Sequence, residues 1–156
     1  MWRTLQRTAC IVALGIALGF AGNAVSPVSR RIPLLRPPKM PLASRDQVAL
    51  PQARVLWESG QAIFLDARSN RDYSNGHITG ALNLPAMEFD KAFPQIRPKL
   101  DAEMPVVLYC DGEHCELSQQ LMLKLRGAGL TNAVVLVNGW TLWRGTGLPT
   151  RTGEEP

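Results

Sequence analysis

The sequence predicts an α/β domain whose parallel sheet is covered on both faces. Short apolar runs without the alternation of a half-exposed strand recur at 62–65, 106–109 and 133–137. Between and around them lie segments with apolar residues at helical spacing, opened by proline or closed by glycine. Composition agrees with a single ordinary domain: of 156 residues, 46% are hydrophobic and 19% charged, which excludes collagen, a coiled coil and a disulfide-stapled mini-protein.

Taken in order, the chain begins with a segment that has no charged residue between Arg7 and Arg30 and is almost wholly apolar from Ala9 to Ala21. A helix over residues 8–25 would be about 27 Å long, close to a hydrocarbon core of about 30 Å, so residues 1–25 are expected to carry a membrane-spanning anchor. Arg3 and Arg7 followed by Gly22-Asn23-Ala24 also fit a cleaved signal peptide, but the apolar run exceeds the usual core of about 7–15 residues and favours the anchor. Basic residues stand on both flanks, so charge bias does not orient the span. Pro27, Pro33, Pro37, Pro38 and Pro41 make residues 26–45 an extended linker. The globular domain is expected over 46–150, with a short tail at 151–156.

Within that domain Pro51, at a first helical position, and Gly60 bracket a short helix over 51–59. Ala62–Leu65 reads as a buried strand ending at Asp66, Ala81–Leu84 as a shorter one closed by Pro85, and Val106–Tyr109 as the clearest. Leu117, Leu121, Met122 and Leu125 recur at helical spacing before Gly127 and Gly129. Ala133–Val137 is a further strand, and Trp140–Trp143 begins a last short helix. Ligands of such sheets bind beyond the carboxyl ends of the strands, where Cys110 stands.

The net charge of +4 is unevenly placed. Seven basic residues and no acid lie between Met1 and Arg45, whereas the remaining residues carry 10 Lys and Arg against 13 Asp and Glu. The folded part is therefore acidic, which argues against a nucleic-acid partner. Cys10 falls in the apolar run and reads as a small hydrophobe, so Cys110 and Cys115 are the informative cysteines. The segment Cys110-Asp111-Gly112-Glu113-His114-Cys115 joins a buried strand to a helix. A loop containing Gly112 can turn successive backbone N–H groups toward its centre, and such a nest at a helix N-terminus favours a thiolate or persulfide anion.

At these residues the chain resembles the rhodanese (sulfurtransferase) family. The resemblance rests on Leu65-Asp66-Ala67-Arg68, Asp72-Tyr73, Gly76-His77-Ile78-Thr79-Gly80-Ala81, Val107-Leu108-Tyr109-Cys110 with its loop, and Asn138-Gly139-Trp140 with Trp143 and Gly147-Leu148-Pro149. It implies a rhodanese-like five-stranded parallel sheet flanked by helices, here preceded by a transmembrane helix and linker, as in single-domain membrane-anchored members. It further implies that Cys110 takes sulfane sulfur from a small donor, carries it as a persulfide and passes it to a thiol or other thiophilic acceptor. Asp111, Gly112, Glu113, His114 and Cys115 would form the substrate-binding loop. Asp66, Arg68, His77 and Gly139 would brace the structure, and no cofactor or metal is implied. The expected location is a bacterial cell envelope membrane, crossed once through residues 8–25, with a secreted or periplasmic protein as the alternative if the segment is cleaved.

Three departures from the family's pattern bear on chemistry. The loop carries Asp111, Glu113 and Glu116 with only His114 as a candidate cation, so it opposes both a thiolate and the thiosulfate dianion. Cys115 stands where an arginine is common and adds a second thiol. Asn138 replaces the first glycine of a usual pair, a mild change because Asn tolerates left-handed geometry. A phosphatase or arsenate reductase is disfavoured, since Glu116 lies six residues after Cys110 and the loop has no arginine. Zinc on Cys110, His114, Cys115 and His77 would require consecutive residues to fold onto one ion. The alternatives kept are a thiol redox protein using Cys110 and Cys115 and a non-catalytic binding module.

Overall fold

Strands apolar on both faces can be buried only between two layers, and that is the architecture of the computed structural model, which describes residues 44–101, 103–112 and 116–156. The expected anchor over 8–25, nearly all of the linker, and Glu113, His114 and Cys115 lie outside the described residues. Among the described residues no helix is long and apolar enough to cross a membrane.

The elements follow as α1 (Leu50–Glu58), β1 (Ile63–Asp66), α2 (Asn70–Asn75), β2 (His77–Ile78), β3 (Leu82–Asn83), α3 (Phe89–Ile96), β4 (Val106–Tyr109), α4 (Glu116–Gly127), β5 (Ala133–Leu136), α5 (Gly139–Gly145) and β6 (Thr150–Arg151). The main sheet runs β3-β1-β4-β5, every pair parallel, with Phe64 opposite Val107 and Val107 opposite Val134. A small antiparallel pair, β2 with β6, sets His77 opposite Arg151 and draws in the first residue of the expected tail.

The fifth strand expected from the resemblance is reduced to one residue: Gln47 bridges Val135 in parallel, and Val48 donates its N–H to the Val135 carbonyl at 3.0 Å. The chain leaves a 3-10 turn at Ser44–Asp46 and enters α1 at Leu50, which leaves too few residues for a longer pairing. The helices α2 and α3 and the pair β2 and β6 extend the plan beyond the elements expected from the sequence. In α3, Phe89, Ala92, Phe93 and Ile96 keep helical spacing despite Pro94 within the helix.

Alternation along the strands sorts the core into two layers. Leu65, Val106, Leu108, Cys110, Ala133 and Val135 face α3 and α4, where Phe89, Leu121, Met122 and Leu125 cover them. Phe64, Val107, Tyr109 and Leu136 face α1 and α5, against Ala53, Trp140 and Trp143. Trp143 meets Trp57 and Phe64 edge-on, with ring centroids 5.6 and 5.7 Å apart. Cys110 thus ends a central strand with its side chain directed into the α4 layer.

Gly139 opens α5 against the sheet: a Cβ there would lie 2.7 Å from Tyr109 Cβ and 3.0 Å from Leu136 Cγ, both on the strands themselves. Gly139→Ala is therefore expected to lower stability by about 1–3 kcal/mol through overpacking, read from urea denaturation; an unchanged midpoint would contradict this packing.

At the other end of the sheet Arg126, in the last turn of α4, donates to Asp46 at 2.7 Å. That hydrogen bond, aided by the Arg126 charge, holds the Asp46 carboxyl below its ordinary value despite desolvation. A carboxylate depressed in the folded state contributes fully above its unfolded pKa of about 3.9, and the contribution is lost as pH falls through the lower folded value. Asp46→Asn should destabilise the protein at pH 7 and differ less from the parent in the acid limb; a pH-independent difference would contradict the linkage.

Candidate active site

The rim at the carboxyl ends of β1 and β4 is organised by a charge pair that burial forces to be internally satisfied. Asp66 is fully buried at the end of β1, and Arg68 is 6% exposed. The Arg68 backbone N–H and Nε donate to Asp66 Oδ1, both at 2.9 Å, and Nη2 donates to Oδ2 at 2.5 Å. Nη2 also donates to the Gly76 carbonyl at 2.7 Å. Burial works against the Arg68 charge, but the hydrogen bond and charge of Asp66 outweigh it and hold the guanidinium above its ordinary value. The guanidinium carbon lies 4.7 Å from the Trp140 ring centroid and 5.9 Å from that of Tyr109.

Trp140 carries this order to the cysteine, since its backbone N–H donates to the Cys110 carbonyl at 3.0 Å. The following two residues are tied to the same turn. Thr141 Oγ1 hydrogen-bonds Asp111 Oδ1, and the Gly112 N–H donates to Asn138 Oδ1 at 3.1 Å. Asn138 adopts φ 52°, ψ 32°, the left-handed geometry expected for the residue that replaces a glycine. Its side chain accepts the Gly112 N–H, one of the amides expected to face the loop centre, so that donor is directed to α5. Asp111 and Gly112 are exposed, while Cys110 is 1% exposed.

The Cys110 sulfur is disulfide-bonded. The other two cysteines, Cys10 and Cys115, lie outside the described residues. On its inner side Cys110 Sγ lies 3.3 Å from the hydroxyl of Ser118, itself 2% exposed. Ser118 occupies the core-facing stripe of α4 with Leu121, Met122 and Leu125. The arrangement can hold a sulfur atom at a strand end, release it as a nucleophile on reduction, and supply a hydroxyl to it.

The two remaining family residues serve the frame. Gly139 is the close-approach position described above. His77 is fully buried, stacks on Tyr73 with ring centroids 3.7 Å apart, and contacts the Tyr73 carbonyl through Nδ1 at 2.9 Å; its Nε2 has no hydrogen-bond partner among the described residues. Tyr73 donates to the Ala81 carbonyl at 2.6 Å, and burial, with the Asp66 charge, pushes its phenol up to about 12. Tyr109 accepts the Ile78 N–H at 3.1 Å, and burial pushes its phenol higher still. All three side chains thus bond backbone groups of the frame around the strand ends. Ser118, Thr141 and the anchoring role of Asn138 were not among the sequence-derived site residues. A polar residue at 118, four positions before Met122 on an apolar stripe, is the signal that would have marked the first.

The rhodanese-like domain model matches residues 51–146. The human thiosulfate:glutathione sulfurtransferase is 31% identical over 111 residues, covering 64% of this chain and 96% of that protein. A thiosulfate sulfurtransferase of Pseudomonas entomophila is 32% identical over 95 residues, covering 61% and 81%. An HTH-type transcriptional regulator of Mycobacterium tuberculosis is 31% identical over 96 residues, covering 62% of this chain but only 40% of the regulator. The solved structure of the human single-domain sulfurtransferase aligns with TM-score 0.55 at 29% identity, covering 64% of this chain and 96% of that one.

Arg68→Ala should leave the Asp66 carboxylate buried and uncompensated and cost about 3–5 kcal/mol. Chemical denaturation measures this, and a loss below about 1 kcal/mol would mean that the pair does not hold the rim.

Proposed function

Since the chain belongs to the rhodanese-like domain family, we propose that it is a sulfurtransferase with Cys110 as the sulfur carrier. The observation that carries this is the cysteine at the carboxyl end of a central parallel strand, tied by its own carbonyl and the next two residues to the α5 turn. The sulfurtransferase relatives support the reaction class.

Catalysis starts from the reduced cysteine. An external thiol opens the disulfide by exchange, two thiols being oxidised to one disulfide as the protein gains two thiols. The Cys110 thiolate then attacks the outer sulfur of a sulfane donor; with thiosulfate the S–S bond breaks, sulfite departs with the electron pair, and a persulfide remains. An acceptor thiolate attacks the outer persulfide sulfur and regenerates the Cys110 thiolate. Cys115, five residues on, is the thiol we assign to closing the disulfide, by the reverse of that exchange, in which the external disulfide is reduced to two thiols. Asp111, Glu113 and Glu116 disfavour a dianionic donor, so a less charged persulfide is the better substrate.

The disulfide at Cys110 also favours a second reading, dithiol–disulfide exchange without sulfur carriage. The uncharged run between Arg7 and Arg30 supports retention in a cell-envelope membrane through residues 8–25. Native protein that resists carbonate extraction is the expected result; an N-terminus at Val25 with no membrane fraction would replace the anchor with a cleaved signal.

The decisive variants are Cys110→Ser, Cys115→Ser and Glu113→Arg. After reduction and exposure to a sulfane donor, intact mass should show one added sulfur in the parent and in Cys115→Ser and none in Cys110→Ser. Glu113→Arg should raise kcat/KM for thiosulfate severalfold by exchanging a like charge for an opposite one. A parent that re-forms its disulfide but never gains sulfur would support the redox reading, and loading in Cys110→Ser would overturn the assignment.

A further inference from the structure

We infer that Ser118 is a catalytic residue of this site, its hydroxyl donating a hydrogen bond to the Cys110 sulfur and stabilising the thiolate each time that sulfur acts as a leaving group. The inference rests on the sulfur-transfer reading for its role in turnover, though the hydrogen bond itself does not.

The direction of the bond follows from the sulfur's bonding. A disulfide sulfur carries no hydrogen, so of the two atoms 3.3 Å apart only the Ser118 hydroxyl can donate. Both residues are buried, at 1% and 2% exposure, so water does not compete freely for the contact. A position on the apolar stripe with Leu121, Met122 and Leu125 calls for a small hydrophobe if packing were its sole task. Placing a hydroxyl there puts a polar group in the core, and the cysteine is its partner.

The site has a need for such a donor. Burial disfavours a thiolate, and Asp111 and Glu116, with Glu113 in the loop sequence, disfavour it further. Asp66 and Arg68 are paired with each other, His114 is the candidate loop cation in the sequence, and Asp111 accepts from Thr141. The Gly112 amide is bound to Asn138. Ser118 approaches from α4, on the core side of the strand end.

Its effect falls on a defined atom. When an acceptor thiolate attacks the outer sulfur of the persulfide, the S–S bond breaks and its electron pair moves to Cys110 Sγ. The same atom receives the pair when an external thiol attacks the partner sulfur of the disulfide. A donor fixed on Cys110 Sγ stabilises charge there in both steps, and so favours attack on the other sulfur over attack on Cys110 itself.

The test uses the reduced full chain in a Cys115→Ser background, so that one cysteine reports in that segment, and follows the pH dependence of alkylation at Cys110. Ser118→Ala should raise the apparent thiol pKa by about one unit, since a hydrogen bond to a charged group is lost. Transfer of loaded sulfur to a small thiol should slow about tenfold, and Ser118→Thr should restore both. Ser118→Gly, which also removes the hydroxyl, should give the same shift and serves if the alanine variant does not fold. An unmoved alkylation profile in a variant with native melting behaviour would overturn the inference. A shifted profile in a protein whose parent never loads sulfur would retain the hydrogen bond and overturn the sulfur-transfer reading instead.

Discussion

Two charges buried at the carboxyl end of β1, Asp66 and Arg68, must satisfy one another because water cannot, and the geometry by which they do so orders the rest of the rim. Arg68 directs one nitrogen to both Asp66 and the Gly76 carbonyl, joining β1 to the end of α2. Its guanidinium lies over the ring of Trp140, whose backbone N–H holds the Cys110 carbonyl. A pair formed two residues apart in sequence therefore reaches the cysteine of a neighbouring strand through one aromatic residue. Gly139 lets that residue approach, since any Cβ would press on Tyr109 and Leu136.

The cysteine sits at a balance of opposed effects. Burial and the acids of the segment after it resist ionisation, whereas hydrogen-bond donors favour it. Two of the loop's polar groups are turned toward α5, where Asn138 takes the Gly112 amide and Thr141 holds the Asp111 carboxylate. This fixes the loop's course at its start while removing one amide from the anion's side. The Ser118 hydroxyl supplies a donor from within the core, which makes α4 a contributor to chemistry as well as to packing.

The parallel sheet was legible because both faces of its longer strands are apolar, so Ile63–Asp66, Val106–Tyr109 and Ala133–Leu136 announce themselves as continuous runs. The helices α1, α4 and α5 were likewise marked by periodicity and by proline or glycine. What the sequence concealed has physical causes. Pro94 obscured α3, although Phe89, Phe93 and Ile96 kept the spacing. The antiparallel pair β2 and β6 joins two-residue segments far apart in the chain, and no local pattern encodes such a pairing. Cys110 was marked by its place at a strand end before a loop containing Gly112, whereas its frame of Asp66, Arg68, His77 and Gly139 came from the resemblance. By contrast, the contacts of Ser118 and Thr141 depend on which residues the folded backbone brings across.

Thiosulfate labelled only in its outer sulfur tests the central claim most directly, in a single turnover of the reduced protein followed by addition of a small thiol. The account predicts that label first appears on Cys110 with release of an equal amount of unlabelled sulfite, and then moves quantitatively to the added thiol. Label that passes to the thiol without residing on Cys110, or that is never taken up from any sulfane donor tried in the same way, would contradict it.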